Sequence, residues 1–190
     1  FVGGKRVSAA KALLQAYPGT NILVCDDGLQ HYALRRDIEI IVFDDRGTGN
    51  GWVLPAGPLR EPWPAVAAMV PRILLHTGNK PAFGGFTSTR RLAENAVALD
   101  GTLVPMVNFG GKPVIALAAI ANSQAFFDML GLSGILLSDT VALPDHHRVS
   151  EADLPGRVDA TILCTEKDAV KLVASPRTAN VLAVPLEFEP

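Results

Sequence analysis

The chain is broken into apolar runs of five to seven residues, each followed by a loop, a turn or a stretch of helical spacing. Asn21 to Cys25 reads as one strand, Asp37 to Phe43 as a second that ends in Asp44-Asp45, and Arg72 to His76 as a third. Val7 to Ala16 carries Ala and Leu at helical spacing and stops at Tyr17-Pro18-Gly19, which predicts a helix. Similar spacing between Trp63 and Val70 supplies a crossover before the third strand. Arg46 to Pro64 holds four Gly and four Pro, too many for a regular element, and is expected as a long ordered loop. Strands alternating with helices in this way indicate a mostly parallel α/β sheet.

Composition shifts at Gly78 to Ser88, where Gly, Pro, Ser and Thr cluster, and a domain boundary is expected there. Thr87 to Leu92 and Ala96 to Leu99, continuing to Val107, are expected to pair as a β-ribbon crossing between domains. Beyond it the pattern restarts. Lys112 to Leu117, Ile135 to Ser138, Ala160 to Cys164 and Val181 to Leu186 read as strands, with helices at Ser123 to Leu130 and Glu166 to Leu172. The expected divisions are residues 1–84, a ribbon linker over 85–110, and a second, smaller α/β domain over 111–190.

Over 190 residues, 48% hydrophobic content and a mean hydropathy of +0.25 supply a core and exclude disorder. A net charge of −2 lacks the basic excess of a dedicated nucleic-acid binder. Cys25 and Cys164 lie in apolar runs at no metal-ligand spacing, so both are expected as buried thiols in a reducing cytosol. The longest uncharged stretch, Pro113 to Phe127, is shorter than the ~20 apolar residues of a membrane span. Phe1-Val2-Gly3-Gly4 reads as the tail of a strand already under way, hence as a piece of a longer chain. Strands lost from such a piece are expected to leave an open edge, an exposed apolar face and poor solubility.

The chemistry concentrates in four stretches. Asp26-Asp27-Gly28-Leu29-Gln30-His31 follows an apolar run, and a carboxylate leaving a strand at the mouth of an open α/β sheet can hold Mg²⁺ beside a nucleotide phosphate, the Walker B pattern. Acids after strands also serve as helix caps or solvated loop starts. Adjacent like charges cost energy unless a cation or donors compensate, which favours the functional reading of the pair. The loop Leu54-Pro55-Ala56-Gly57-Pro58-Leu59-Arg60-Glu61-Pro62 places a phosphate-clamping Arg beside a possible cation ligand, or else a surface ion pair. Asp145-His146 is either a structural turn or a carboxylate-oriented proton handler. Thr165-Glu166-Lys167-Asp168-Ala169-Val170-Lys171 looks like a capped helix start, with Thr165 as cap and Asp168 closing a variant capping box, which leaves Lys167 unexplained.

These four motifs stand in the order found in the tetraacyldisaccharide 4'-kinase family, which the chain resembles from about Val2 to Leu186. The resemblance implies a partial P-loop NTPase-like, mostly parallel sheet joined by a β-ribbon to a smaller α/β domain. It further implies transfer of the ATP γ-phosphate to the 4'-hydroxyl of an acylated glucosamine disaccharide lipid during lipid A biosynthesis. The place implied is the cytoplasmic face of the bacterial inner membrane, with the membrane contact made outside the matched part. By this resemblance Asp26, Asp27 and Glu61 hold Mg²⁺, and Gln30, Arg60, Lys167 and Asp168 face the nucleotide and its phosphates. His31 and Arg60 meet the sugar or phosphates, while His146, oriented by Asp145, assists the catalytic base as the second domain closes.

One expected part has no counterpart. Gly4-Lys5 is followed by Arg6 and Gly111-Lys112 by Pro113, so neither forms the Gly-x-x-x-x-Gly-Lys-Ser/Thr cradle for phosphates. The chain therefore reads as the C-terminal portion of such a kinase, inactive by itself. Two other readings remain: a non-catalytic nucleotide-binding α/β module, and a Mg²⁺-dependent hydrolase for which no Ser or Cys nucleophile motif is present.

Overall fold

A computed structural model describes residues 1–64, 70–78, 80–156 and 160–190. The expected crossover between Trp63 and Val70 falls mainly outside the described residues. The chain divides into two compact units, Phe1–Thr89 with Pro190, and Arg90–Glu189. None of the described helices is long and apolar enough to cross a membrane.

The first unit contains helix α1 (Arg6–Ala16) and strands β1 (Glu39–Phe43), β2 (Arg72–His76) and β3 (Phe86–Thr87), joined as an all-parallel sheet in the order β1-β2-β3. Glu39 sits opposite Arg72 in the register and is nearly buried. Its carboxylate is held by Arg72 Nε at 2.6 Å and Arg36 Nε at 3.1 Å, so the buried charge is paired on both oxygens. At the other end of β1 and β2, Phe43, Trp63, His76 and Phe83 stack with ring centroids between 5.0 and 5.9 Å apart. As the sequence predicts, Arg46 to Pro64 is irregular but ordered, pinned by an isolated bridge between Val53 and Leu59.

The run Asn21 to Cys25 differs from expectation. It takes no ladder partner among the described residues, and Ile22 and Val24 are 75% and 93% exposed. An apolar run becomes a buried strand only when neighbours cover its edges and faces. Here the described sheet ends at β1, whose Ile40 and Val42, like Ile38 just before it, are themselves more than half exposed. Cys25, at the end of that run, is consequently exposed rather than a core thiol, whereas Cys164 is buried as expected. Desolvation, reinforced by the nearby Asp168 carboxylate, pushes the Cys164 thiol up to about 12 and keeps it protonated.

The second unit carries most of the core. It begins with β4 (Thr89–Leu92), β5 (Asn95–Ala98) and β6 (Leu103–Pro105), then β7 (Val114–Ala118), α2 (Ser123–Leu132) and β8 (Leu137–Ala142). β9 (Thr161–Thr165), the short helix α3 (Glu166–Ala169), β10 (Val181–Val184) and β11 (Leu186–Glu189) complete it. Six strands form one sheet in the order β6-β5-β10-β9-β7-β8, parallel from β10 to β8 and antiparallel at β5 and β6. All five residues of the inner strand β7 are buried, and their alternation separates two cores. Val114, Ala116 and Ala118 pack with Phe126, Phe127 and Leu130 of α2, while Ile115 and Leu117 pack with Val149, Leu154 and Ala169 on the opposite face.

Thr89–Leu92 and Asn95–Ala98 do not pair with each other. β4 pairs with β11, and β5 forms a hairpin with β6 while its other edge joins β10. The local cause is Asp100-Gly101: Gly101 takes φ 89°, its N–H donates to Ala98 O at 2.9 Å, and Asp100 Oδ1 accepts from the Thr102 amide at 2.9 Å. Asp-Gly at such a turn favours pairing of the strands that flank it. Within the parallel part, the chain runs from β7 outward to β8 and then back across β7 to β9. The carboxyl ends of β7 and β9 therefore form the point where strand order reverses, the position at which open α/β sheets place their ligands.

Candidate functional site

In the first unit, Asp26 to Arg36 is a succession of turns between the unpaired run and β1. Asp27 lies at the first of them with φ 48°, a left-handed conformation that Asp tolerates better than most residues. Arg6 Nη1 donates to the Asp27 carbonyl at 2.6 Å, tying the start of α1 to this turn. The Asp27 carboxylate faces the proline-rich loop, where Arg60 Nη1 donates to Oδ1 at 2.6 Å. That hydrogen bond from Arg60 and the charge behind it hold the Asp27 carboxyl below the usual carboxylate range. Both partners are more than half exposed, so the pair adds little stability and remains open to a ligand.

Glu61 is engaged separately. Its oxygens accept from Gln30 Nε2 at 3.4 Å and from Tyr32 OH at 2.6 Å. Arg36 lies over the Tyr32 ring and donates to the carbonyls of Gly28 and Leu29, holding the turn from beneath. His31 is half-buried, with its N–H donating to Gly28 O. The loop that presents Arg60 and Glu61 is closed by Leu54 N–H to Leu59 O and by Asn50 Nδ2 to Ala56 O, both 2.8 Å. A Cβ on Gly57 would stand 2.3 Å from the Trp52 carbonyl oxygen, so only Gly permits this closure.

The two motifs of this unit meet as two couples, Asp27 with Arg60 and Glu61 with Gln30 and Tyr32, rather than as one cage. Among the described residues no group of three or more His, Cys, Asp and Glu is gathered for a metal ion. Mg²⁺ is ordinarily held by one or two carboxylates together with phosphate oxygens and water. Exposed Asp26 and Asp27 fit such a sparse donor set, whereas Glu61, with both oxygens bonded, fits a supporting role. Arg60→Ala is expected to return the Asp27 titration toward its ordinary value of 3.8. Carboxyl-carbon NMR reads that shift, and an unmoved curve would mean that Arg60 does not govern the charge on Asp27.

In the second unit the candidate residues gather at the strand ends. Asp145 Oδ1 accepts from Lys167 Nζ at 3.1 Å, and His146 Nε2 stands 3.5 Å from Asp145 Oδ2. The hydrogen bond from Lys167 is the main cause that keeps the Asp145 carboxyl low. His146 itself is 81% exposed and adopts φ 63°. Asp168 differs from its expected placement along a nucleotide. It is fully buried, and its oxygens are taken by the Ala119 amide at 2.9 Å, the Thr165 hydroxyl at 2.7 Å and Lys171 Nζ at 2.8 Å. The expected cap is present, since Thr165 Oγ1 accepts from the Asp168 amide. The same carboxylate, however, locks the turn that carries Lys167 to the end of β7.

Sequence reasoning assigns no role to several residues of this network. Lys171 donates to the His147 carbonyl at 2.9 Å, and the His147 ring meets Asp153 at 3.0 Å. Asp153 also closes a capping box with Ser150, whose amide is the main cause that lowers its carboxyl. The Ser150-x-x-Asp153 spacing was the available signal; the role of Lys171 had none, because its partners come from other loops.

A family model described as tetraacyldisaccharide-1-P 4'-kinase, LpxK, matches residues 1–190. The tetraacyldisaccharide 4'-kinase of Polaromonas naphthalenivorans (strain CJ2) is 57% identical over 192 residues, which cover 100% of this chain and 56% of that protein. Its counterpart from Acidovorax sp. (strain JS42) is 50% identical over 188 residues, covering 98% and 54%. The chain thus spans about half the length of the curated relatives it matches. A crystal structure of LpxK from Aquifex aeolicus in complex with ATP superposes with a TM-score of 0.74 at 24% identity, over 99% of this chain and 59% of that one, a likeness of fold. Matched from its first residue to its last, and more than half identical to a curated relative, the chain belongs to the tetraacyldisaccharide-1-P 4'-kinase family.

Proposed function

We propose that this chain supplies the Walker B side and the second lobe of a kinase that moves the ATP γ-phosphate to the 4'-hydroxyl of an acylated glucosamine disaccharide 1-phosphate. The proposed place is the cytoplasmic face of the bacterial inner membrane. The observation that carries the reading is the Asp27–Arg60 pair, which sets a carboxylate and a guanidinium 2.6 Å apart on two rigid, exposed turns. Family membership and the ATP bound to the Aquifex relative support it.

In this reaction the bond from the γ-phosphorus to ADP breaks, a bond to the 4'-oxygen forms, and the hydroxyl proton leaves to a base. Such transfer depends chiefly on positioning and on neutralising charge. Mg²⁺, which Asp26 and Asp27 would hold, neutralises phosphate charge when bound. Arg60 exchanges its contact with Asp27 for phosphate oxygens, which its planar fork matches. Gln30 and Tyr32 keep Glu61 turned toward the Asp27 loop, and His31 lies one residue along for the sugar or phosphate. In the second unit, Asp145 orients His146 to assist the base that takes the hydroxyl proton, Lys167 offers positive charge, and Asp168 holds their scaffold.

The lack of a Walker A sequence among the 190 residues favours a second reading for the chain taken alone, a binding module without turnover. Phosphate transfer from labelled ATP to the lipid acceptor is measured for the 190 residues and for the protein expressed from its complete reading frame. The expected result is turnover only in the latter. No turnover in either protein refutes the kinase reading, and turnover by the 190 residues refutes the need for a Walker A loop.

A further inference from the structure

Lys171 joins three segments of the second unit at their common end. Its Nζ lies 2.8 Å from Asp168 Oδ1 and 2.9 Å from the carbonyl oxygen of His147. Through Asp168 Oδ2 the same network reaches the Ala119 amide and the Thr165 hydroxyl. The neighbouring carbonyl, Ala118 O, accepts from the Leu143 amide at 2.9 Å. One end of the network is thus fixed to the carboxyl ends of β7 and β9, where strand order reverses, and the other grips the backbone of the loop after β8. Asp168 is fully buried and Lys171 keeps 21% of its side-chain exposure, so these charge-assisted bonds act with little screening.

The gripped loop carries a residue in a costly conformation. At φ 63°, His146 is left-handed, a region that side chains with a Cβ avoid unless their surroundings over-determine it. His146 sits inside the turn closed by His147 N–H to Pro144 O at 3.0 Å, and the next turn is closed by Val149 N–H to His147 O at 3.1 Å. Lys171 therefore grips the carbonyl on which that second turn closes, one residue after His146. The other tethers act differently. Lys167–Asp145 is largely exposed and screened, and Asp153 holds the His147 ring rather than the backbone.

We propose that Lys171 is a positioning residue: locked by Asp168, it holds the His147 carbonyl and so keeps His146 left-handed, with its imidazole presented at the strand-end crevice. This deepens the kinase reading and rests on it for the part His146 plays in transfer. The test uses the isotope-labelled 190-residue chain as wild type, Lys171→Met and Lys171→Arg. In Lys171→Met the His146 amide, Cα and Cβ shifts are expected to leave their left-handed values. Exchange of the Val149 amide is expected to quicken about tenfold, while core signals from Ile115 and Leu163 stay in place. Lys171→Arg is expected to restore both readouts.

Left-handed His146 shifts in a folded Lys171→Met overturn the proposal. Should that variant not fold, Lys171→Gln, which keeps the stem and a donor but no charge, is judged by the same shifts. A separate arm measures phosphate transfer by the complete-frame protein, in which Lys171→Met is expected to lower kcat and leave KM for ATP unchanged. Altered His146 shifts with unaltered turnover uphold the positioning and refute the role of His146. Unaltered shifts refute the positioning, whatever the turnover.

Discussion

Replacing Asp168 with alanine is expected to destabilise the second unit by about 3 to 5 kcal/mol, the usual cost of removing one partner from a buried ion pair. The substitution leaves the Ala119 amide without its acceptor at a fully buried position and takes from the Lys171 ammonium, 21% exposed, its charged partner. That is a large part of the roughly 5 to 15 kcal/mol that holds a typical domain. Both tryptophans, Trp52 and Trp63, belong to the first unit, so their fluorescence follows that unit alone while far-ultraviolet circular dichroism follows both. In urea, the dichroism transition of the second unit should move to lower denaturant while the fluorescence midpoint stays. A dichroism curve unchanged by the substitution would show that the carboxylate is dispensable.

The same residue sets an acid limit. Burial pushes the Asp168 carboxyl up, but the Ala119 amide, the Lys171 ammonium and the Thr165 hydroxyl outweigh it and hold the group below its ordinary 3.8. A depressed carboxyl contributes its stability fully above the unfolded pKa and loses it as pH falls through the folded value. Stability of the second unit should therefore hold down to about pH 4 to 5 and decline below that range. Asp153, lowered by the Ser150 amide, adds to the decline. Asp168→Asn should flatten this acid limb, and equal slopes in the two proteins would contradict the assignment.

The second large effect is catalytic. In the complete-frame protein, His146→Gly is expected to lower turnover about 100-fold or more, the usual contribution of a positioned proton-transfer group. Stability should not fall with it. The His146 side chain is 81% exposed, and Gly adopts φ 63° without the steric cost that His bears, so the variant should melt at or above the wild-type temperature. A variant both active and equally stable would remove His146 from the mechanism. One that loses activity and stability together would make His146 a structural turn residue.

Much of the second unit was legible because its strands are central. Val114 to Ala118 and Thr161 to Thr165 are apolar on both faces, as buried parallel strands require, and Ser123 to Leu132 places its apolar residues on one side. Asn21 to Cys25 has the same composition, yet it has no ladder partner and its residues are exposed. Composition records a preference for burial, not the presence of whatever does the burying. Pairings of long sequence separation were likewise hidden. The partner of β4 is β11, almost the whole unit away, whereas the Asp100-Gly101 turn that makes β5 and β6 a hairpin was readable locally. At the site, Asp27 and Arg60 were identified from their motifs and meet. Asp168 was identified for the right turn but with the wrong exposure, because the amide that buries it belongs to Ala119, 49 residues earlier.

The pairing of β4 with β11 brings the entry and exit of the second unit side by side, cross-linked by Arg91 to Glu187 at 2.6 Å and to Glu189 at 2.5 Å. A module whose two ends are clasped in this way is topologically a closed loop: its backbone could be reopened at the exposed Gly134 turn and rejoined across Arg90 and Glu189 without disturbing the order of its central strands.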